Sequence, residues 1–451
     1  HTVGWPELRA RIADFPPERV AAITGLAADD VVRLARLYAT TPPALIKLAD
    51  GLQRNRLGGQ TVRAICALPA LTGQYGVLGG GLAYSTSDYV KWDGRALAHW
   101  QDSPPLGRVV NMNRLGAALL GEASDPPIQS LFVFGSNPAA IAPNAGQVVA
   151  GLRRDDLFTV VHELFMTDTA DYADIVLPAT SQLEHADLHK AYGHTVLSYN
   201  AAAIAPLGEA KSNWDVMRLL AAEMGFTEPW LRQTADEVID EVLLATAARN
   251  PALHGVTPAR LRAEGSIPLH FSPEVPFADG RFPTPSGKVE LRCENVARLG
   301  LDPVPDYLPD EDDGAGAAPL DPARFPPDAG LTLISAAAHH FVTSSFANRA
   351  DMLQREGAPF VELHPADAAA RGIADGEVVV VENGRGCCEL LAKVTDAVRP
   401  GVAASPKGRW ARLNDDGGQT VNWLTSDALA DMAGQSTFHS NTVWVRKREN
   451  S

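Results

Sequence analysis

Short apolar runs that alternate with helical segments are the feature that most constrains the fold of this chain. The alternation predicts strands at residues 44–49, 131–134, 157–161 and 174–178, and helices at residues 28–40, 59–71 and 143–153. This order is typical of a parallel sheet with helices on both faces. Ligands of such sheets bind at the carboxyl ends of the strands, so the candidate site lies in the loops that follow these runs.

The chain changes character near residue 330. Residues 303–330 are rich in Pro, Asp, Ala and Gly, which is typical of a linker. The following residues are mostly β by pattern, with strands predicted at 331–334, 377–381, 389–394 and 442–445, and they are best interpreted as a barrel. We therefore predict a doubly wound parallel-sheet α/β domain at residues 1–310, a linker at 311–330 and a β-barrel domain at 331–451.

Charge and cysteine content exclude several classes of function. The net charge is −15, which argues against a nucleic-acid partner because phosphate binding needs clustered Lys and Arg. The four cysteines form no CxxC pair, so the chain has no recognisable zinc or iron–sulfur pattern. No apolar run is long enough to span a bilayer, and no signal peptide is visible. A cytoplasmic location is favoured over a periplasmic one, although the compartment stays open.

Four stretches of the chain together resemble the molybdopterin oxidoreductases of the dimethyl sulfoxide reductase family. They are Gly51-Leu-Gln-Arg-Asn55 with Gly58-Gly59; Phe134-Gly-Ser-Asn-Pro138; Phe165-Met-Thr-Asp-Thr-Ala170 running into Ala173-Asp-Ile-Val-Leu-Pro178; and His364-Pro-Ala-Asp-Ala with Asn422-Trp-Leu-Thr425. The resemblance implies an α/β cofactor domain followed by a double-psi β-barrel that closes over the cofactor. It also implies that the chain starts after an iron–sulfur segment and after the residue that ligates the metal.

The cofactor that the resemblance implies is molybdenum, or tungsten, held by two molybdopterin guanine dinucleotides. A 4Fe-4S cluster would belong to the part that precedes this chain. The implied partners are this cofactor, a small-molecule substrate and an electron-transfer subunit. The implied chemistry is two-electron redox or oxygen-atom transfer, in which the protein orients the cofactor.

The turn Gly135-Ser136-Asn137 is the candidate for binding a pyrophosphate of this cofactor. Backbone N–H groups at a strand-to-helix turn are fixed donors that suit an anion. Gly135 lets the backbone approach closely, and the side chains of Ser136 and Asn137 can add hydrogen bonds. The alternative is an ordinary turn before a helix.

Glu163, which follows His162 at the end of a predicted strand, is the candidate for binding guanine. A carboxylate can accept hydrogen bonds from the N1–H and the N2 amine of guanine at once. A solvated strand end is the alternative. The spacing of His185, His189 and His194 does not match a zinc pattern.

The remaining candidate cofactor-binding residues come from the resemblance. They are Gly51, Gln53, Arg54, Thr167, His185, Asn213, His340, Thr343, Ser344, Asn422 and His439. The planar guanidinium of Arg54 suits phosphate oxygens, and Asn213 is either a cofactor contact or a helix cap. His439 departs from the basic residue that family members carry there and would be only partly charged near pH 7.

Two other classes of protein remain open at this stage. One is a non-catalytic scaffold subunit of an electron-transfer complex that keeps the fold without the pterin. The other is an α/β protein that binds a different dinucleotide. The substrate cannot be predicted from the sequence. The cofactor interpretation requires that the strand ends of the sheet and the small-residue loops of the barrel face each other across one cleft.

Overall fold

The computed structural model describes residues 1–85, 89–102, 107–122, 125–272, 274–309, 317–414 and 418–449. Two compact units are present, and each is assembled from segments that are distant in sequence. The first unit comprises His1–Ala49, Ala64–Val109 and Leu177–Glu294, and the second comprises Asp50–Arg63, Val110–Val176 and Asn295–Ser451.

The strands have the following bounds. They are β1 (Thr2–Val3), β2 (Leu45–Lys47), β3 (Gly81–Ala83), β4 (Ser130–Phe134), β5 (Phe158–Glu163), β6 (Ile175–Pro178), β7 (Asp187–His189), β8 (Val196–Asn200), β9 (Ser266–Pro268), β10 (Val289–Glu290), β11 (Leu331–Ile334), β12 (Phe360–Leu363), β13 (Val378–Asn383), β14 (Gly386–Val394), β15 (Val402–Ala404) and β16 (Asn441–Lys447).

The helices have the following bounds. They are α1 (Trp5–Ile12), α2 (Pro17–Thr24), α3 (Ala28–Thr40), α4 (Gly58–Leu71), α5 (Gly94–Ala98), α6 (Leu115–Leu119), α7 (Pro138–Ile141), α8 (Ala145–Leu152), α9 (Asn213–Glu223), α10 (Ala235–Ala247), α11 (Pro258–Glu264), α12 (Glu294–Ala297), α13 (Ala350–Glu356) and α14 (Pro365–Ala370). None of the helices in the described ranges is long and apolar enough to cross a membrane.

The first unit combines a parallel strand pair with an antiparallel sheet. β2 pairs with β3 in parallel, and β8 lies between β7 and β9 in an antiparallel sheet. Helix α10 begins with a capping box in which Thr234 and Glu237 satisfy each other's backbone N–H groups. Its apolar face presents Leu243 to a core that also contains Leu197 and Leu253, all three fully buried.

The second unit contains the parallel sheet that positions the candidate site. Its strand order is β4-β5-β6, and β4 pairs with β5 in parallel from Ser130↔Phe158 to Phe134↔His162. The two strands therefore end at the same edge of the sheet. Gly135 follows the last residue of β4, and Glu163 is the last residue of β5. Leu152 of α8 and Leu157, before β5, belong to the core beside this sheet.

The same unit contains a closed six-stranded barrel of order β11-β15-β12-β14-β13-β16. β11 pairs with β15 and β12 pairs with β14 in parallel, whereas the other four pairings are antiparallel. Alternate residues of the strands point inward, as in β11, where Leu331 and Leu333 are buried and their neighbours are exposed. The interior is thus a packed apolar core.

The predicted fold class, parallel α/β followed by a β-barrel, is confirmed. Outside the barrel, β1-β10, β2-β3 and β4-β5 pair in parallel, in small sheets of two, two and three strands. The helix predicted from about residue 143 to 153 corresponds to α8 at Ala145–Leu152, which Asn144, with a positive φ of 50°, precedes as the N-cap. Part of the predicted linker, residues 311–316, lies outside the described residues, and the domain division at 311–330 stays a prediction.

Candidate functional site

The turn after β4 lies at the carboxyl edge of the parallel sheet, as predicted. Gly135 has a φ of 57°, a backbone conformation that residues with a Cβ atom rarely adopt. Its N–H donates to the carbonyl of His162 at 3.2 Å, which continues the pairing of β4 with β5. Ser136 follows directly and faces a cleft.

Asn137 lies behind this turn and holds it in place. Its side chain is 2% exposed. The Nδ2 group donates to Asp168 Oδ2 at 3.1 Å, and Oδ1 accepts from the N–H and the hydroxyl of Thr169 at 3.1 and 2.8 Å. The structure therefore gives the Asn137 side chain a positioning role, instead of the direct contact with a cofactor that the sequence suggested.

The cleft in front of the turn has a volume of about 450 Å³ and lies entirely within the second unit. One wall is the strand end, with Phe134, Ser136 and Pro138. The opposite side is formed by barrel loops and by the turn that precedes α4. The residues that line the cleft on this side are Arg54, Thr343, Lys407, Gly408, Ser436 and Phe438. The sheet edge and the small-residue loops of the barrel thus share one cleft, which the cofactor interpretation requires.

Two cations flank the Phe438 ring in this cleft. The ammonium of Lys407 is 4.0 Å from the ring centroid, and the guanidinium carbon of Arg54 is 5.9 Å from it. Arg54 donates to Gln435 Oε1 and Ser436 Oγ at 3.1 and 2.9 Å, which are neutral acceptors. Within the described ranges, neither cation forms an ion pair, so the cleft presents net positive charge.

His439 is adjacent to these cations but does not add charge. Burial and the charges of Lys407 and Arg54 lower the pKa of His439 to about 4, so its ring is neutral near pH 7. The expectation of a partly charged His439 is therefore wrong. Lys407, which the sequence analysis missed, carries the charge instead, because no motif connects residue 407 with a ring 31 positions further on.

Gly408 and Asn422 bring the barrel loops close together. Gly408 has a φ of 92°, and a Cβ on it would lie 2.3 Å from the carbonyl oxygen of Thr343. Asn422 is fully buried; its Oδ1 accepts from Gly408 N at 3.4 Å and its Nδ2 donates to the carbonyl of Ile141 at 3.0 Å. Asn422 therefore fixes the loops to each other, and its amide is not available to a ligand.

Glu163 ends β5 at the sheet edge and is half-buried. Desolvation by burial is the main cause that raises the pKa of this carboxyl. The backbone N–H of Leu164 donates to this carboxyl, and no cation pairs with it among the residues that the structure describes, so it keeps acceptor capacity for a neutral donor pair such as guanine. His162, by contrast, is fully buried.

The other predicted residues of the second unit take several places. Thr343 lines the cleft. Ser344 accepts from Trp410 Nε1 through its carbonyl at 2.9 Å, and the backbone N–H of His340 donates to Glu356 Oε2 at 3.0 Å. Thr167 is buried, and its hydroxyl accepts from Ala170 N at 3.2 Å.

Gly51 and Gln53 belong to the 3-10 turn Asp50–Arg54 that presents Arg54. Gly58, at the start of α4, allows this turn to fold back, since a Cβ there would lie 2.6 Å from Gln53 Cα. The first amides of α4 donate to Asp431, from Gly59 N at 2.8 Å and from Gln60 N at 2.9 Å. Asp431 thus satisfies these two donors, and Arg54 is the residue of this segment that lines the cleft.

His185 and Asn213 lie in a different cleft, of about 380 Å³, within the first unit. His185 Nδ1 is 2.9 Å from the hydroxyl of Thr180, which fixes the orientation of the imidazole. Two indole rings and a floor of aliphatic residues from α10 complete the cleft. The N-cap of α9 is Ser212, so the interpretation of Asn213 as a cap is wrong and its exposed side chain faces the cleft.

Comparisons with known proteins agree with these features. The family described as "Molybdopterin oxidoreductase" matches residues 21–223, and the "Molydopterin dinucleotide binding domain" matches residues 331–442. The chain is 40% identical, over 99% of its length, to a probable oxidoreductase of Bacillus subtilis, YoaE, and covers 63% of that protein. It is 28% identical over 96% of its length to the dimethyl sulfoxide reductase DmsA of Escherichia coli and covers 57% of it.

The structure is similar to that of acetylene hydratase from Pelobacter acetylenicus, with a TM-score of 0.75 and 23% identity, over 99% of this chain and 67% of that chain. The chain belongs to the molybdopterin oxidoreductases of the dimethyl sulfoxide reductase family. It spans less than two thirds of the length of the curated relatives named above.

Proposed function

We propose that this chain is the part of a molybdenum or tungsten oxidoreductase that binds the pterin guanine dinucleotide cofactor. The observation that carries the proposal is the cleft of the second unit, where Arg54 and Lys407 line the same space as Ser136 and neither forms an ion pair with a carboxylate of the described residues. A cluster of cations without counter-charges lowers the stability of a protein unless an anion binds to it. A dinucleotide supplies that anion in its pyrophosphate.

The residues of the cleft fit such a ligand. Arg54 and Lys407 would hold phosphate oxygens, together with the turn at Ser136, because charged donors give the stronger hydrogen bonds. Glu163 would accept from guanine, and its raised pKa marks a carboxylate that has lost water without gaining a cation. The Phe134 ring, 52% exposed at the cleft, offers a flat apolar surface to the ligand.

The bound cofactor would supply two-electron redox or oxygen-atom transfer chemistry, and the residues of this chain would bind and orient it. We propose that the cleft of the first unit, with His185 and Asn213, binds a second dinucleotide. A small-molecule substrate, an electron-transfer subunit and a 4Fe-4S cluster would engage other parts of the whole protein. Relatives carry names as different as "Biotin sulfoxide reductase" and "F420-dependent formate dehydrogenase 1 subunit alpha". No substrate is therefore proposed.

The test is the cofactor content of the full-length protein purified from a host that makes pterin cofactors. We expect one molybdenum or tungsten atom and two guanine nucleotides per chain, measured by elemental analysis and by mass spectrometry after acid release. The Arg54→Gln variant should retain less nucleotide, whereas Arg355→Gln, an exposed arginine of α13, serves as the matched control. Wild-type protein that contains neither metal nor guanine nucleotide would refute the proposal.

A further inference from the structure

The backbone of Lys407 is held in place, and its ammonium group lies in the cleft. Residue 407 follows β15 and forms a parallel bridge with Ala337, in which Lys407 N donates to the carbonyl of Ala336 at 3.0 Å. Gly408, the next residue, packs directly against Thr343. The side chain then extends over the Phe438 ring.

The surroundings of this ammonium group are basic or neutral. Arg54 and His439 are the titratable groups that interact with it electrostatically. The acidic residues on the neighbouring segments have other partners. Asp431 accepts hydrogen bonds from the first amides of α4, and Asp427 forms an ion pair with Arg114. The charge of Glu356 interacts with that of Arg409. Among the described residues, no carboxylate contributes to the pKa of either Lys407 or His439.

This environment makes a protonated Lys407 costly in the absence of an anion. Burial and, next, the charge of Arg54 lower the pKa of Lys407 from 10.5 to about 8. An anion in the cleft would oppose both effects, because it supplies a counter-charge that favours the protonated lysine. The proton affinity of Lys407 should therefore differ between the cofactor-free and the cofactor-bound protein.

We propose, on the basis of the proposed function, that Lys407 takes up a proton when the phosphate group of the cofactor binds, so that cofactor retention is coupled to pH. The bound form holds the lysine protonated, whereas the cofactor-free form loses that proton as pH rises from 7 to 9. His439 stays neutral in both forms near pH 7, so it takes no part in the proton uptake.

The direction of the pH dependence follows from linkage. With a pKa of about 8, Lys407 in the cofactor-free protein is about nine-tenths protonated at pH 7 and about one-tenth at pH 9. Binding to the deprotonated form must include protonation, so affinity falls as pH rises through this range. The expected loss is about tenfold between pH 7 and pH 9 if the bound lysine stays fully protonated.

The experiment is calorimetric titration of the cofactor-free, full-length protein with guanosine diphosphate as the probe. Titrations at pH 8 in two buffers of different ionisation enthalpy give the number of protons taken up, which we expect to be about one half for the wild type. Affinities at pH 7 and pH 9 give the pH slope. Lys407→Arg keeps the charge at every pH, so its own slope corrects for ionisation of the nucleotide.

Three variants separate the possible outcomes. Lys407→Arg should bind without proton uptake by residue 407 and with only the pH slope that ionisation of the nucleotide gives. Lys407→Met should bind weakly at both pH values, and His439→Gln should take up as many protons as the wild type. Uptake that persists in Lys407→Arg, or that disappears in His439→Gln, would overturn the proposal while leaving the proposed function intact. A wild-type protein that does not bind the nucleotide at either pH would overturn both.

Loss of nucleotide from the cofactor-loaded protein gives a second readout. The fraction of nucleotide retained at equilibrium should fall from pH 7 to pH 9 in the wild type and stay constant in Lys407→Arg. Equal retained fractions at the two pH values in the wild type would contradict the proposal.

Discussion

The second unit has two half-buried charged side chains, Lys407 in its cleft and Glu163 at the edge of its parallel sheet. Lys407 and Glu163 are half-buried without an opposite charge in the described structure, and burial shifts the pKa of each towards the neutral form. Such groups reduce the stability of the protein and are retained where a ligand needs them. They are therefore the residues at which stability and cofactor binding should respond in opposite directions.

Replacing Glu163 should weaken cofactor binding while it stabilises the cofactor-free protein. Glu163→Ala should weaken dinucleotide retention by about 1 to 3 kcal/mol, the range for removing a charged hydrogen-bond acceptor. Because the folded pKa of Glu163 is raised, its stabilising contribution is present below the ordinary pKa and is lost as pH rises through the raised value. Glu163→Gln should therefore make the cofactor-free protein more stable at pH 7 than the wild type, as measured by urea unfolding. Equal nucleotide retention by the two variants and the wild type would count against guanine binding at this position.

The contribution of Lys407 to the free energy of unfolding changes with pH in the direction opposite to that of Glu163. Its folded pKa of about 8 lies below the ordinary 10.5, so the unfolded chain binds more protons between these values and stability rises with pH there. Relative to Lys407→Met, the cofactor-free wild type should gain on the order of 1 to 3 kcal/mol from pH 7 to pH 10. Denaturant unfolding at several pH values checks this, and parallel curves for the two proteins would contradict it.

The role of Lys407 could not be predicted from the sequence, because it depends on which charges are missing around the side chain. Arg54 and the turn Gly135-Ser136 were predicted, since they follow strands whose pattern is clear. Asn137 and Asn422 were assigned to the cofactor, but both amides are occupied by internal hydrogen bonds. A sequence pattern identifies such residues as belonging to the site, but it does not show whether they bind the ligand or fix the loop through internal hydrogen bonds.

At the scale of elements, the barrel loops depend on one close backbone contact. Gly408→Ala should destabilise the protein by at least about 2 kcal/mol, because the new Cβ would overlap the Thr343 carbonyl and the loop would have to move. Gly401 is the matched control, since it also has a positive φ, 84°, but no atom lies within 4 Å of an added Cβ. Gly401→Ala should lose only about 1 kcal/mol, the strain of the backbone conformation. Equal unfolding free energies for the two variants would contradict the importance of this contact.

The turn after β4 depends on the buried carboxylate of Asp168. Asp168 Oδ2 accepts from Asn137, and Oδ1 accepts from Arg412 N at 2.9 Å, so it connects the sheet edge to the segment that follows Trp410. Asp168→Ala should lower the free energy of unfolding by about 1 to 3 kcal/mol, because it leaves buried donors without partners. Asp168→Asn keeps one acceptor and should lose less. Denaturant unfolding measures both, and an Ala variant as stable as the Asn variant would show that the carboxylate is not needed.

At the scale of the whole molecule, the sequence predicted the fold class but not how segments combine. Strands and helices were recognised because each has a local apolar pattern. The second unit, however, joins Asp50–Arg63 and Val110–Val176 to the barrel region, and no local pattern shows that three distant segments form one unit. This assembly brings Arg54, Ser136 and Lys407 to one cleft, although they are separated by 82 and 271 positions in the chain.

The most direct measurement for the whole account is a crystal structure of the cofactor-loaded full-length protein. We expect the diphosphate of one dinucleotide in the cleft of the second unit, with oxygens about 3 Å from the donors of Arg54, Ser136 and Lys407. A diphosphate bound elsewhere in the protein, with water alone between these three residues, would contradict the account.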